Sequence, residues 1–265
     1  MPAAFPSSSD TAPILEARGL VRAFGGLRAV DGMSLVLGRG EMVGLIGPNG
    51  AGKTTFFNLL AGSLVPDSGA IMLGNRDIAR ERPEKRIGAG LGRTFQIPKP
   101  FREMTVLENV LTGAQGQSGE GILANFLSPS RVRVEEHRAA ERARELLDFV
   151  RLSHLTHEPA AVLSGGQRKL LELARVLMAD PSVLLLDEPA AGVNPALLEL
   201  IIDRVRLLNA QGRTVLLIEH NMDMVSRLCE RVVVMAEGSL LAEGAPAQVL
   251  ARKDVAEAYL GQVAA

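Results

Sequence analysis

An α/β fold on a mostly parallel sheet is predicted by three features of the sequence. Short, wholly apolar runs stop at residues with chemistry in them, helical patterns separate the runs, and glycines gather at two places. The runs are Met42–Ile46, Val183–Leu186, Val215–Ile218 and Val232–Met235. Continuous apolar runs of this length read as strands buried on both faces, which requires helices above and below a parallel sheet. Ligands of such sheets bind beyond the carboxyl ends of the strands. There the first three runs end, in Gly47, Asp187 and Glu219-His220.

The chain has 265 residues, enough for one large domain or a domain with a sub-domain. Hydrophobic residues make up 47% and charged residues 22%, which excludes a disordered chain. A net charge of −1 leaves no basic surplus, so no nucleic-acid partner is expected. The single cysteine, Cys229, excludes an internal disulfide, fits a reducing compartment and reads as a small buried side chain between helix and strand. No run reaches the roughly 18 apolar residues of a membrane helix. The expected place is therefore the cytoplasm, with any work at a membrane done by docking onto a spanning partner. Residues 1–13, rich in Pro, Ser and Ala, read as a flexible tail.

From 97 to 163 the pattern changes. A Gly/Ser break at 113–121 precedes a charged amphipathic stretch, Arg131–Val150. Its Ala139, Ala143, Leu146, Leu147 and Val150 fall at helical spacing, with Glu135, Glu136, Arg142 and Arg144 on a solvated face. This reads as a helical insertion between two halves of the α/β core.

The segment Gly47-Pro48-Asn49-Gly50-Ala51-Gly52-Lys53-Thr54 fits G-x-x-x-x-G-K-[ST] at every position. It follows an apolar strand and precedes a helical run, Thr55–Ala61, the context this phosphate loop requires. Glycines let successive N–H groups turn inward toward an anion, and the following helix offers its positive end to it. Lys53 supplies a cation for the β- and γ-phosphates, and Thr54 a hydroxyl for Mg²⁺. No Asn-Lys-x-Asp segment is present to read guanine. The helix after the loop carries Phe56 and Phe57, which read as core.

Asp187 and Glu188 close the run Val183–Leu186. A strand end holds Asp187 rigidly for Mg²⁺, while Glu188, one residue on, can orient and deprotonate water attacking a γ-phosphate. Two adjacent carboxylates at a buried strand end are costly without a cation.

A second anion-binding helix end lies at Leu163-Ser164-Gly165-Gly166-Gln167, ahead of an amphipathic helix, Arg168–Ala179. Ser164 is a good N-cap, and no Lys-Thr pair follows it. One phosphate loop does not need two such ends within a chain, so the second serves a nucleotide held by another copy.

With these motifs in this order the chain resembles the ATP-binding-cassette (ABC) ATPases over nearly its whole length; L-S-G-G-Q is their signature. The resemblance implies a phosphate-loop NTPase core of mostly parallel strands (14–96 and 164–265) with an antiparallel β subdomain, and a helical subdomain over 97–163. It implies ATP and Mg²⁺, and a head-to-tail dimer in which Ser164, Gly165, Gly166 and Gln167 of one copy close over ATP on the other's Gly47–Thr55. It implies Gln96 as the residue sensing Mg²⁺ and the attacking water, His220 as the switch histidine near the γ-phosphate, and Phe24 as the adenine-stacking aromatic; a core phenylalanine is the competing reading of Phe24. The family's Ala-Leu-Asp reads Gly192-Val193-Asn194 here, so Asn194 keeps a short polar side chain at the cross-dimer position and loses the carboxylate.

Further segments, Glu188-Pro189-Ala190-Ala191-Gly192, Glu219-His220-Asn221-Met222, Phe101-Arg102-Glu103-Met104 and Ala258-Tyr259-Leu260-Gly261, resemble the ATPase subunits of branched-chain amino-acid uptake systems. That implies membrane-spanning permease subunits, an extracytoplasmic solute-binding protein, a second identical or related ATPase, and a place on the cytoplasmic face of the inner membrane. The lipopolysaccharide-export ATPase is similar in several of these segments and is the alternative. A nucleotide-regulated module without hydrolysis would not need Lys53, Glu188 and His220 together. A soluble ABC ATPase acting on DNA or ribosomes would carry long coiled coils or two cassettes. The Pro-bounded loop Ile97–Met104, with Phe101, is expected to receive a short permease helix or to pack on its own helices.

Overall fold

The computed structural model describes residues 12–94, 98–117 and 129–260. Gln96, with its neighbours Phe95 and Ile97, lies outside the described residues, as do residues 1–11 of the expected tail and 118–121 of the Gly/Ser break.

The apolar runs become the strands of one sheet because each is buried along its whole length. β3 (Met42–Ile46), β7 (Val183–Asp187) and β8 (Thr214–Ile218) are buried at every residue. β9 (Arg231–Ala236) is buried at its four central residues. With β6 (Leu91–Arg93) and β10 (Ser239–Gly244) they form the order β10-β9-β3-β8-β7-β6, parallel throughout except at β10. Period-2 alternation sorts their side chains into two apolar layers. Met42, Ile46, Leu184, Leu186, Val215 and Leu217 face one; Val43, Leu45, Val183, Leu185, Leu216 and Ile218 face the other.

The second layer is closed by α1 (Lys53–Ala61), through Phe56, Phe57, Leu59 and Leu60, and by an antiparallel sheet. That sheet has the order β2-β1-β4-β5, from β1 (Leu15–Phe24), β2 (Leu27–Leu37), β4 (Ser68–Leu73) and β5 (Arg76–Asp77). Three register shifts between Ala17 and Ala23 break the alternation of β1. The two phenylalanines after the phosphate loop are fully buried, as the sequence predicts.

Helices close the first layer. They are α3 (Val106–Leu111), α4 (Pro129–Phe149), α5 (Gly165–Met178), α6 (Pro195–Ala210), α7 (Met222–Leu228), α8 (Pro246–Leu250) and α9 (Lys253–Leu260). In α4, Ala143, Leu146 and Leu147 are buried while Arg131 pairs with Glu135 and Arg142 with Glu145 on the wet side. Cys229 is buried beside Gly44 of β3 and Val225 of α7, and burial pushes its thiol up to about 12.

One short helix, α2 (Pro83–Gly88), anchors the helix of the phosphate loop. The buried guanidinium of its Arg86 donates to the carbonyls of Leu59 and Leu60 at the end of α1, and to those of Ala79 and Glu81. A cation at a helix C-terminus meets the negative end of the dipole. Burial nevertheless lowers the pKa of Arg86 to about 10.

Candidate active site

The phosphate loop follows the carboxyl end of β3, an interior strand of the sheet, and turns into α1. Two of its glycines are fixed by space as well as conformation. Gly47 has φ 145°, and a Cβ there would lie 2.0 Å from the carbonyl oxygen of Met235. Gly52 has φ 95°, and a Cβ there would lie 2.1 Å from the carbonyl oxygen of Ala29. Only glycine fits either place. Lys53 is buried and folds back, its Nζ donating to the carbonyls of Gly47 at 2.7 Å and Pro48 at 2.8 Å. Burial lowers the pKa of this ammonium, and the Glu188 and Asp187 carboxylates oppose the shift. An ammonium with two carbonyl acceptors keeps a third N–H to give.

A cleft of about 550 Å³ opens over the loop. Asn49 to Thr55 line it together with Glu188, His220, the β2 residues Leu27 to Ala29, and Glu237-Gly238. The sequence-predicted loop, base and switch histidine therefore meet in one place. His220 Nε2 lies 3.2 Å from Glu188 Oε1. Glu188 has φ 48°, a left-handed backbone uncommon for a residue with a Cβ.

Asp187 is 2% exposed. Its Oδ2 accepts from Arg93 Nη2 at 2.9 Å, and its N–H donates to Thr94 Oγ1 at 3.2 Å. Burial raises its pKa; the Arg93 guanidinium opposes this. Its Oδ1 is buried with no hydrogen-bond partner among the described residues. An orphaned carboxylate oxygen beside a phosphate loop fits a hard cation. Among the described residues no three His, Cys, Asp or Glu side chains gather into a metal cage. Mg²⁺ is bound through one or two carboxylates plus substrate phosphates. The Asp187 carboxylate and the Thr54 hydroxyl would hold it; Gln96 lies outside the described residues.

The signature residues stand apart from this cleft, since none of Ser164 to Gln167 lines it. Ser164 caps α5 in a reciprocal box: its Oγ accepts from the Gln167 N–H at 3.3 Å, and Gln167 Oε1 accepts from the Ser164 N–H at 2.9 Å. Ser164 and Gly165 are exposed, but Gly166 is buried, with Leu197 of α6 where its side chain would be. Asn194 caps α6, its Oδ1 accepting from the Leu197 N–H at 2.9 Å. Phe24 is 46% exposed, so it is not a core residue; the Arg22 guanidinium lies 5.0 Å from its ring centroid. Phe24 does not line the cleft.

Sequence reasoning missed three residues around the base: Arg93, Lys169 and Glu219. Arg93 holds Asp187 and also donates to Asn58 Oδ1 of α1 at 2.7 Å. Lys169, half-buried on α5, donates to the backbone carbonyl of Glu188. Glu219, buried at the end of β8, accepts backbone N–H groups. Its place beside His220 was the one signal available in the sequence.

An α/β sheet with a phosphate loop, an acid pair at the neighbouring strand end and a second glycine-bearing helix end defines a nucleotide-hydrolysing cassette. The family model described as ABC transporter matches residues 30–191. The chain belongs to that family, as one of its ATP-binding ATPase subunits. It is 40% identical over 257 residues to a probable branched-chain amino acid transport ATP-binding protein of Methanocaldococcus jannaschii, spanning 96% of this chain and 99% of that one. It is 41% identical over 253 residues to a high-affinity branched-chain amino acid transport ATP-binding protein of Pseudomonas aeruginosa, spanning 94% and 98%. The solved ADP conformation of an ATP-binding cassette of an ABC transporter overlays with a TM-score of 0.81 at 39% identity, covering 95% of this chain and 100% of that one. A nucleotide-free cassette overlays equally well, at 0.81 and 39%, covering 93% and 98%.

Proposed function

We propose that this chain hydrolyses Mg·ATP as one of two cassettes that close head to tail, and so powers uptake of branched-chain or related amino acids through separate membrane-spanning subunits. The observation that carries the chemistry is the cleft over Lys53, walled by a Glu188–His220 pair 3.2 Å apart. The phosphate tail lies over Gly47–Thr54, where inward N–H groups and Lys53 offset its charge. Asp187 and Thr54 would hold Mg²⁺, which when bound would supply charge neutralisation for the phosphate tail. Glu188 takes the proton from a water aimed at the γ-phosphorus, and His220 holds the Glu188 carboxylate and reaches toward the γ-phosphate. The other wall of the site is the partner's Ser164–Gln167, which is why those residues do not line the cleft of their own chain. Cleavage of the γ-phosphate removes what joined the two copies, and the sandwich loosens.

Transport of branched-chain amino acids is supported by the names of the relatives at about 40% identity; uptake with a solute-binding protein at the inner membrane is the form of that transport proposed here. Those names favour amino-acid transport over the lipopolysaccharide-export alternative. Among the described residues no helix is long and apolar enough to cross a membrane. The permease contact falls on Phe101, 52% exposed in its Pro-bounded loop, with the Arg175 guanidinium 5.3 Å from its ring centroid.

Two substitutions test this reading. Glu188→Gln retains ATP binding, lowers turnover by about 10²–10⁴-fold and accumulates dimers on sizing columns; normal phosphate release would remove Glu188 as the base. Phe101→Asp loses co-purification with the permease while ATP hydrolysis in solution persists. Unchanged assembly would place the docking site elsewhere.

A further inference from the structure

The turn that carries the base is gripped from both sides by residues to which the motifs assign no role. On one side Lys169 Nζ donates to the backbone carbonyl of Glu188. On the other, Glu219 is 3% exposed and its carboxylate takes three backbone N–H groups. Oε1 accepts from Ala190 at 2.6 Å; Oε2 accepts from His220 at 3.0 Å and Asn221 at 3.1 Å. Glu219 thus ties the turn after Glu188 to the turn that carries His220. The 3.2 Å approach of those two side chains depends on both turns.

The clamp has something to oppose. Glu188 sits at φ 48°, and such a backbone persists only where its surroundings over-determine it. A carboxylate with three N–H donors is also a strong anchor, since charge-assisted hydrogen bonds are roughly twice as strong as neutral ones. Lys169 is not a surface charge that happens to reach a carbonyl. Burial lowers its pKa, while Glu219, Glu188, Glu172 and Asp187 oppose that shift.

Lys169 also lies in the second turn of α5, five residues after its cap Ser164. A helix moves as a unit, and a hydrogen bond weakens steeply once stretched or bent. We propose that Lys169 and Glu219 are positioning residues for Glu188, and that Lys169 makes the base of this chain answer to the helix whose first turn closes on the partner's nucleotide. The proposal rests on the reading of Glu188 as the base and of Ser164–Gln167 as serving the other copy's ATP. It links the two ATP sites of the assembly through one side chain: α5 seated on the partner's nucleotide holds this chain's Glu188 in register, and α5 withdrawn releases it.

The test uses the assembled transporter, with substitutions in this chain alone. Lys169→Met keeps the length and removes the donor. It is expected to lower kcat by about 10- to 100-fold, as misplacement of a catalytic group by an ångström does, with KM for ATP unchanged. Lys169→Arg, which can still donate to the carbonyl, restores most of the rate. Glu219→Gln, isosteric but bringing an NH₂ toward backbone N–H groups, also lowers kcat and leaves KM. For the link between sites, Ser164→Ala is combined with Lys169→Met. The combined loss of kcat is expected to be smaller than the product of the single losses, because part of the Ser164 effect passes through Lys169. Normal kcat in Lys169→Met, or a loss shared with KM and not rescued by Arg, overturns the positioning role. A combined loss equal to the product overturns the link. Glu188→Gln measured alongside separates the premises: if it turns over ATP normally, the base assignment fails, whereas a stalled Glu188→Gln beside a normal Lys169→Met sinks the clamp alone.

Discussion

Two glycine-bearing turns head helices in this molecule, and they are built on opposite plans. The phosphate loop is closed on itself. Its lysine is buried under its own carbonyls, and its glycines at 47 and 52 leave no room for a methyl group. The turn at Ser164 is closed only at its helix cap, by the Ser164–Gln167 box; it carries no lysine at the corresponding place, and Ser164 and Gly165 face solvent. In the proposed function, one turn holds an anion by itself and the other adds helix-end N–H groups to a site whose charge is supplied elsewhere. An assembly that uses ATP as a joint needs this inequality: the copy that keeps the nucleotide must grip it strongly, and the copy that leaves after hydrolysis must grip it weakly.

Lys53→Ala gives the largest separation between the two turns. It removes the loop's cation from a buried position and leaves the carbonyls of Gly47 and Pro48 without their donor. Loss of one partner from a buried charged contact costs about 2–5 kcal/mol. Nucleotide affinity of the isolated chain is therefore expected to fall by about 10²-fold or more, read by titration of a fluorescent ATP analogue. Retained affinity would mean that the backbone amides alone hold the phosphates, and the contrast between the turns would disappear.

How much of this was legible follows from what each residue touches. The phosphate loop, the Asp187-Glu188 pair and the signature turn are written in consecutive residues, because an anion cradle is made of neighbouring amides. The core strands were readable for the same reason: burial on both faces leaves an unbroken apolar run. β1 was harder, since its register shifts between Ala17 and Ala23 erase the alternation that marks a half-buried strand. Arg93 and Lys169 were not readable, and Glu219 only through its place beside His220. Each has a partner distant in sequence, and for Lys169 and Glu219 the partners are backbone atoms, which carry no side-chain signature. Asn194 shows the reverse case. Its polar side chain, expected in a cross-dimer contact, is committed to the cap of α6. An Asp or an Asn serves equally well as such a cap.

Ser164→Ala produces the smallest effect on the chain and isolates the second turn. It deletes the hydroxyl that accepts the Gln167 N–H and leaves the phosphate loop untouched. An N-cap serine replaced by alanine costs about 1 kcal/mol, so melting should drop by about 2–4 °C in a chain of this size. Nucleotide affinity of the isolated chain should not change, because Ser164 does not line its own cleft. ATP-driven pairing in a Glu188→Gln background should weaken, as the cap that orients the first turn of α5 is gone. That result is read on a sizing column with and without ATP. Weakened nucleotide binding by the lone chain would show that Ser164 serves the site of its own copy, and the two turns would then be parts of one site instead of halves of two. Unchanged pairing at a lowered melting temperature would leave Ser164 as a cap and nothing more, and the grip on the partner's phosphates would rest on the amides of Gly165 to Gln167.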